Sequence, residues 1–117
     1  MQPDVIHCGG ITEMRKISAL VEIYGGEMAP HMWYGPVAHA ASVAAMTPCR
    51  NLLAQEWDGS SEAMFAEITK GSLPVQKGGC VQASARPGLG LEMDWELLEK
   101  RYPYAGARWN PKTTQSR

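Results

Sequence analysis

Glycine and proline pairs divide the first half of the chain into five short segments of alternating character. Residues 4–7 and 27–31 have the composition of short strands, and residues 50–57 form a third such stretch with Leu52 and Leu53 adjacent. The two stretches between them carry the apolar patterns of helices. Strand, helix, strand, helix, strand at this spacing is typical of βα units in a parallel sheet. The adjacent leucines predict a third strand that is covered on both faces.

The two helices have recognisable ends. The first is expected to begin at a Thr12 cap and to end at Gly25-Gly26. Its apolar positions recur at helical spacing: Met14, Ile17, Val21 and Tyr24. The second is expected to begin at Gly35-Pro36, because proline at the first helical position gives up only an amide that has no partner, and to end at Thr47-Pro48. It is apolar on nearly every face, which predicts burial between neighbours.

The second half, after Trp57, is richer in turns. Residues 60–71 predict a short helix, and residues 73–75 and 80–82 are spaced to pair as a hairpin across Lys77-Gly78-Gly79. Asp94 is placed to cap another short helix that runs through Lys100. Residues 105–117 are polar, and we expect them to fray.

Composition excludes several classes of function. The 11 basic and 12 acidic residues are interspersed, so the chain has no basic stripe for nucleic acid. No run approaches the roughly 18 apolar residues of a membrane-spanning helix. The three cysteines, Cys8, Cys49 and Cys80, are odd in number and far apart, which indicates reduced thiols in the cytoplasm and makes a zinc site improbable.

Polar residues stand beside the apolar run of each predicted strand: Asp4, His31 and Glu56. The carboxyl ends of parallel strands converge on one edge, so these side chains are candidates for a common site. Asp4 is suited to hold one ring nitrogen of His31, which leaves the other to take or give a proton. Glu56 is suited to bind a substrate oxygen, or to stay protonated as an electrophile.

Each of these residues also has a structural interpretation without chemistry. His31 alone in a loop is more often a packed or exposed amphipathic side chain. Asp4 follows Pro3 and suits a turn, and Glu56 suits an ordinary charge at a strand end. His39, in an alanine-rich helix, is expected to be a polar notch against a neighbouring loop. A metal site built on His7 and Cys8 is disfavoured, because adjacent strand residues point to opposite faces.

Four stretches of the chain resemble one family. They are "PDVIHCGGITEMRKI" at 3–17, "APHMWYGPVAHAAS" at 29–42, "QE" at 55–56 and "PGLGLE" at 87–92. Together they resemble the C-terminal part of the mandelate racemase branch of the enolase superfamily, particularly acid-sugar dehydratases such as galactonate dehydratases. The resemblance implies an α/β fold: residues 1–57 would form the sixth, seventh and eighth strands of a TIM-type barrel with their helices, and residues 58–117 its closing segment and tail.

The resemblance also implies a reaction. In this family the residues at the positions of Asp4 and His31 form an acid/base dyad that removes the proton α to a carboxylate. Mg²⁺ stabilises the enediolate, and dehydratases then lose the β-hydroxyl as water. Glu56 would stand beside the substrate of this reaction, a sugar-acid carboxylate, and Trp33 and Tyr34 would line the pocket wall.

The family's metal ligands lie on barrel strands that this chain does not carry. The chain alone is therefore expected to hold no Mg²⁺ through its own side chains and to be inactive. The alternative is a non-catalytic remnant that folds by self-association as a structural or interaction module. In either case, open strand edges and bared helix faces predict a homo-oligomer.

Overall fold

The computed structural model describes residues 1–74 and 76–106. Helices α1 (Ile11–Ile23), α2 (Pro36–Met46), α3 (Glu62–Ile68) and α4 (Trp95–Arg101) follow one another along the chain. Two short strands, β1 (Gln76–Lys77) and β2 (Cys80–Val81), lie between α3 and α4. Helix α1 packs against α2, and α3 packs against α4.

Three segments of the first half lie side by side in parallel. Asp4 bridges to His31, and Met28 bridges to Leu52. Backbone hydrogen bonds hold this pairing, with Ala29 N donating to Met1 O and Met28 N donating to Asn51 O, both at 2.8 Å. The segment around Met28 is therefore central. The order and direction are those of strands joined by helical crossovers, although each pairing is an isolated bridge.

The predicted strand over residues 4–7 is wrong, because the chain turns there. The Asp4 carboxylate oxygen Oδ1 accepts the backbone amides of Ile6 at 2.8 Å and His7 at 3.1 Å. The amide of Cys8 donates to the Asp4 carbonyl at 2.8 Å, which closes the turn. Aspartate often bends the backbone two residues ahead in this way. The parallel pairing therefore lies at residues 1–4 and ends at Asp4.

Helix α1 ends as expected but begins elsewhere. Its N-cap is Gly10, which has a φ of 97°, so the expectation of a Thr12 cap is wrong. At the other end, Gly26 N donates to Val21 O and Gly25 N to Glu22 O, both at 2.9 Å. Gly25 adopts a φ of 69°, which is the left-handed conformation that this helix ending requires. Tyr24 is 83% exposed, and so it does not belong to the buried face.

Helix α2 starts with Gly35 as its N-cap and Pro36 in the first turn, and its C-cap is Thr47. Most of its residues are buried, in agreement with its apolar sequence. The expectation for the third segment is wrong in one respect: Leu53 is 64% exposed and Leu52 is partly exposed. Among the described residues, therefore, this segment is not covered on both faces.

Two apolar clusters fill the interior. The methionine cluster consists of Val5, Met14, Met28, Ala45 and Met46. The phenylalanine cluster consists of Phe65, Ile68 and Leu73, with Leu91, Leu97 and Leu98 packed around it. The first lies between α1, α2 and the parallel segments, and the second lies between α3 and α4.

The turn-rich second half contains a hairpin in which Lys77 pairs with Cys80 around Gly78-Gly79. Its first strand lies at Gln76–Lys77, whereas the sequence had suggested 73–75; Val75 is outside the described residues. The Asp94 side chain accepts from Leu97 N at 3.0 Å at the start of α4. The expectation that the tail frays falls mainly on residues 107–117, which are also outside the described part.

Candidate active site

Asp4 and His31 form a hydrogen-bonded pair at the ends of two neighbouring parallel segments. His31 Nδ1 lies 2.8 Å from Asp4 Oδ2. The same two residues form the parallel bridge, so backbone pairing sets the distance between their side chains. Asp4 is buried, whereas the His31 side chain is 46% exposed. With Nδ1 bound to Asp4, the second ring nitrogen, Nε2, is the atom that can exchange protons.

The contact between Asp4 and His31 shifts the pKa of both residues. Burial alone would raise the pKa of Asp4, but hydrogen bonds from His31 and from the amides of His7 and Ile6 outweigh it and lower the pKa. The hydrogen bond to Asp4 raises the pKa of His31, and the charge of Glu56 adds to this effect. An ionised Asp4 beside a histidine of raised pKa is suited to an imidazole that cycles between base and acid near neutral pH.

Glu56 reaches the same edge from the third segment. Its Oε2 accepts the backbone amide of Met32 at 2.6 Å, next to His31 in the chain. Glu56 therefore contacts the loop that carries His31 and acts on the histidine through its charge.

Trp33 and Tyr34, the two aromatic residues expected to line the pocket wall, differ in their contacts. Trp33 is 62% exposed. Tyr34 lies edge-on to His31, with ring centroids 6.1 Å apart, and its hydroxyl lies 2.5 Å from Nε2 of His7. His7 was not among the site residues predicted from the sequence. The signal for it was a histidine just after the first segment and a tyrosine just after the second.

The described residues do not offer a site for Mg²⁺. Among residues 1–74 and 76–106, no group of three or more histidine, cysteine, aspartate or glutamate side chains is arranged to hold a metal ion. Mg²⁺ requires near-octahedral oxygen ligands. The carboxylates of Asp4 and Glu56 are instead engaged by His31 and by Met32 N. These residues therefore do not fit the metal.

His39 lies in α2, and it is 1% exposed. Its ring stands edge-on to Trp57 at a centroid distance of 4.0 Å, which places it against a neighbouring loop. Neither ring nitrogen has a hydrogen-bond partner among the described residues. Burial lowers the pKa of His39, against the opposing charges of Asp58 and Glu62. A buried, neutral histidine is a structural element here.

Two further observations concern the chain as a whole. Within the part of the chain that the structure describes, no helix is long and apolar enough to cross a membrane. Cys8, Cys49 and Cys80 are free thiols.

Comparison with known proteins gives one family. The family model described as "Enolase C-terminal domain-like" matches residues 1–97. D-galactonate dehydratase of Variovorax paradoxus is 37% identical over 104 residues, which are 84% of this chain and 27% of that protein.

Solved structures agree with the family match. A mandelate racemase/muconate lactonizing enzyme from Jannaschia sp. CCS1 matches with a TM-score of 0.80 and 33% identity, covering 92% of this chain and 27% of that one. An enolase from Pantoea ananatis with bound D-gluconate and Mg matches with a TM-score of 0.76 and 25% identity, covering 91% of this chain and 25% of the other. The chain thus spans about a quarter of the length of its relatives. It belongs to the enolase C-terminal domain-like family, in the branch of mandelate racemase and galactonate dehydratase.

Proposed function

We propose that this chain supplies the acid/base dyad of an acid-sugar dehydratase-like enzyme of the mandelate racemase type. In this proposal, residues 1–57 correspond to the last three βα units of a TIM-type barrel, and residues 58–117 to its closing segment and tail. The observation that carries the proposal is the 2.8 Å contact between His31 Nδ1 and Asp4 Oδ2 at one edge of the parallel segments. It leaves Nε2 for the substrate.

The residues act on a proton next to a carboxylate. His31 Nε2 accepts the proton from the α carbon, and the ionised Asp4 stabilises the imidazolium that results. In a dehydration, the imidazolium of His31 then returns a proton to the hydroxyl on the β carbon, the bond between that carbon and its oxygen breaks, and the group leaves as water. The substrate class is a sugar-acid carboxylate, since one relative is a D-galactonate dehydratase and one structural neighbour holds D-gluconate.

Three further residues complete the proposed site. Glu56 holds the His31 loop through Oε2, and we assign its other carboxylate oxygen to a substrate oxygen. Trp33 and Tyr34 form the wall beside His31. The exposed indole of Trp33 offers an apolar face to the carbon skeleton of a sugar acid.

The isolated chain is proposed to be inactive. The enediolate formed from a carboxylate carries a second negative charge and needs strong electrostatic stabilisation, which is usually the largest catalytic contribution. The family draws this from Mg²⁺, and the described residues of this chain do not fit the ion. The free thiols also favour a reducing compartment, and we assign the chain to the cytoplasm.

Two assays test the proposal. The isolated chain, incubated in D₂O with Mg²⁺ and D-galactonate or D-gluconate, should show no deuterium exchange at the α carbon. Residues 1–97 should then replace the matched segment of the Variovorax D-galactonate dehydratase. This graft should dehydrate galactonate, and His31→Asn or Asp4→Asn within it should abolish the activity. A His31→Asn graft as active as its parent would overturn the proposed dyad, whereas His31-dependent exchange by the chain alone would overturn its proposed inactivity.

A second candidate is a non-catalytic module that assembles with copies of itself. The exposed apolar side chains Leu53 and Ile23, together with the edge of residues 1–4, favour such self-association. Sedimentation at micromolar concentration should show a homo-oligomer, and Leu53→Lys should weaken it. An inactive graft together with a stable oligomer would favour this candidate, whereas a monodisperse monomer would exclude it.

A further inference from the structure

His7 and Tyr34 form a contact that the proposed reaction does not use. His7 Nε2 and Tyr34 Oη are 2.5 Å apart, although 27 residues separate them in the chain. Their rings are tilted by 45° to each other, with centroids 5.7 Å apart. His7 lies in the turn after the first parallel segment, and Tyr34 lies in the loop after the second. The contact therefore joins the two loops that border His31.

The contact closes a ring of four residues, in which one link is made by the backbone amide of His7. Asp4 Oδ2 holds His31, and Asp4 Oδ1 accepts the amide of His7 at 3.1 Å. The His7 ring then holds Tyr34, whose edge lies against the ring of His31. Each member thus touches the next, and the last returns to the first. A closed arrangement of this kind limits the orientations that any one member can adopt.

His31 needs such a restraint. Its side chain is nearly half exposed, and the hydrogen bond to Asp4 fixes only one nitrogen, Nδ1. Rotation of the imidazole would swing Nε2 away from a substrate and would also weaken the hydrogen bond to Asp4. The Tyr34 ring, inclined at 78° to the imidazole, is placed to limit this rotation on one side, and it is in turn held through its hydroxyl. Small misplacement of a base can lower a rate about a hundredfold.

We propose that Tyr34 and His7 are positioning residues, which hold the His31 ring in the orientation where Nε2 faces the substrate and Nδ1 stays on Asp4. We assign the Tyr34 hydroxyl as the donor to Nε2 of the neutral His7 imidazole, which places the proton of His7 on Nδ1. The charged and titratable groups around His31 are Asp4, Glu56, His7 and Tyr34. The catalytic meaning of the positioning rests on the proposed role of His31, but the positioning itself can be measured without turnover.

The test is ¹⁵N NMR of the histidine rings in the full chain across a pH titration. Tyr34→Phe removes the hydroxyl and keeps the ring, and Tyr24→Phe is the matched control at the exposed C-cap of α1. In Tyr34→Phe, His7 should lose its Nδ1-protonated preference, and the titration of His31 should move down towards its ordinary midpoint. The shift should be smaller than the one caused by Asp4→Asn. Tyr24→Phe should change neither ring.

His7→Gln tests the pair from its other side. It should move the titration of His31 in the same direction as Tyr34→Phe, and the double variant should add little, because both changes break one contact. If the titration of His31 is the same in wild type, Tyr34→Phe and His7→Gln, the proposal is overturned, whether or not His7 changes its tautomer.

In the dehydratase graft, a positioning role predicts a lower kcat with little change in KM. An inactive graft with intact NMR shifts would reject the proposed function alone.

Discussion

The methionine cluster and the phenylalanine cluster are built in different ways. The first is assembled from distant parts of the chain, and polar side chains tie those parts together over 24 to 33 residues: Asn51 to Ser18, His31 to Asp4, and Glu56 to Met32 N. The second is surrounded by short helices and by leucines that remain partly exposed, and its long-range side-chain tie, from Arg101 to Glu67, is exposed. The three ties of the first cluster are partly buried, so they are screened less by solvent, and the proposed dyad is one of them.

The largest expected effect separates the two clusters. Met28 is fully buried, and Met28→Ala should lower the free energy of unfolding by about 2 to 5 kcal/mol through lost burial and a cavity. It should also lower the pKa of His31, because Met28 lies in the segment that carries this residue. Urea unfolding and an NMR titration measure both.

Leu73→Ala is the control in the phenylalanine cluster, where Leu73 is also buried. It should destabilise the chain but leave the titration of His31 in place. A shift of His31 in this variant as large as in Met28→Ala would show that the clusters act as one unit.

The next largest effect is expected from the hydrogen bonds of Asn51, which join distant parts of the chain around the methionine cluster. Asn51 Nδ2 donates to the carbonyls of Ser18 at 3.0 Å and Gly26 at 3.3 Å, and its Oδ1 accepts from Ser18 Oγ. Asn51→Ala leaves these groups without their partner, which should cost about 1 to 3 kcal/mol. Gln76→Ala, an exposed amide on β1, should change stability by less than about 0.5 kcal/mol in the same unfolding assay. Equal effects would contradict the importance of the long-range tie.

A smaller effect is expected at the start of α4. Asp94 caps this helix by accepting the amide of Leu97, and Asp94→Ala should cost about 1 kcal/mol. Thermal unfolding measures the loss, and Asp94→Asn, which retains an acceptor, should recover most of it. Because this cap lies at the helix that packs on the phenylalanine cluster, the NMR signals of the histidine rings should be unchanged.

The smallest change at neutral pH is expected at His39. Its lowered pKa means that the unfolded chain, where histidine titrates near 6.5, binds the proton more readily than the folded one. The neutral ring therefore favours the fold above that pH, and the advantage falls as the pH drops through the unfolded and then the folded pKa. His39→Phe should flatten this acid limb in denaturant titrations between pH 7 and 5. Tyr24→Phe, at the exposed C-cap of α1, should keep it.

The sequence predicted the helices better than the paired segments. Gly25-Gly26 and Gly35-Pro36 end and begin helices through local backbone conformation, so short motifs suffice to place them. Residues 4–7 have strand composition, but the Asp4 carboxylate captures two amides and turns the chain. Competition between a local hydrogen bond and a strand is not visible in an apolar pattern. The exposure of Leu53 likewise depends on what covers a segment, which no local pattern states.

The site was predictable to a similar degree. A carboxylate and a histidine at the ends of neighbouring parallel segments were expected to meet, and Asp4 and His31 do so. The role of Glu56 stays a prediction, as the structure shows it on the backbone of Met32. The contact between His7 and Tyr34 is not visible in the sequence, because the two residues are 27 positions apart and become adjacent only when the two loops are folded.

Asp4 and His31 form both the bridge between two parallel segments and the side-chain hydrogen bond that raises the pKa of His31. The register of these segments therefore determines that pKa. A slip of one residue between these segments moves the partners by about 3.3 Å and turns one side chain to the opposite face. No partial dyad survives such a slip, so the titration of His31 reports which alignment each molecule has adopted. A mixed population of alignments would appear as two histidine resonances with separate midpoints. The titration of His31 can therefore be used to measure how much of the protein has folded with the correct register between these segments.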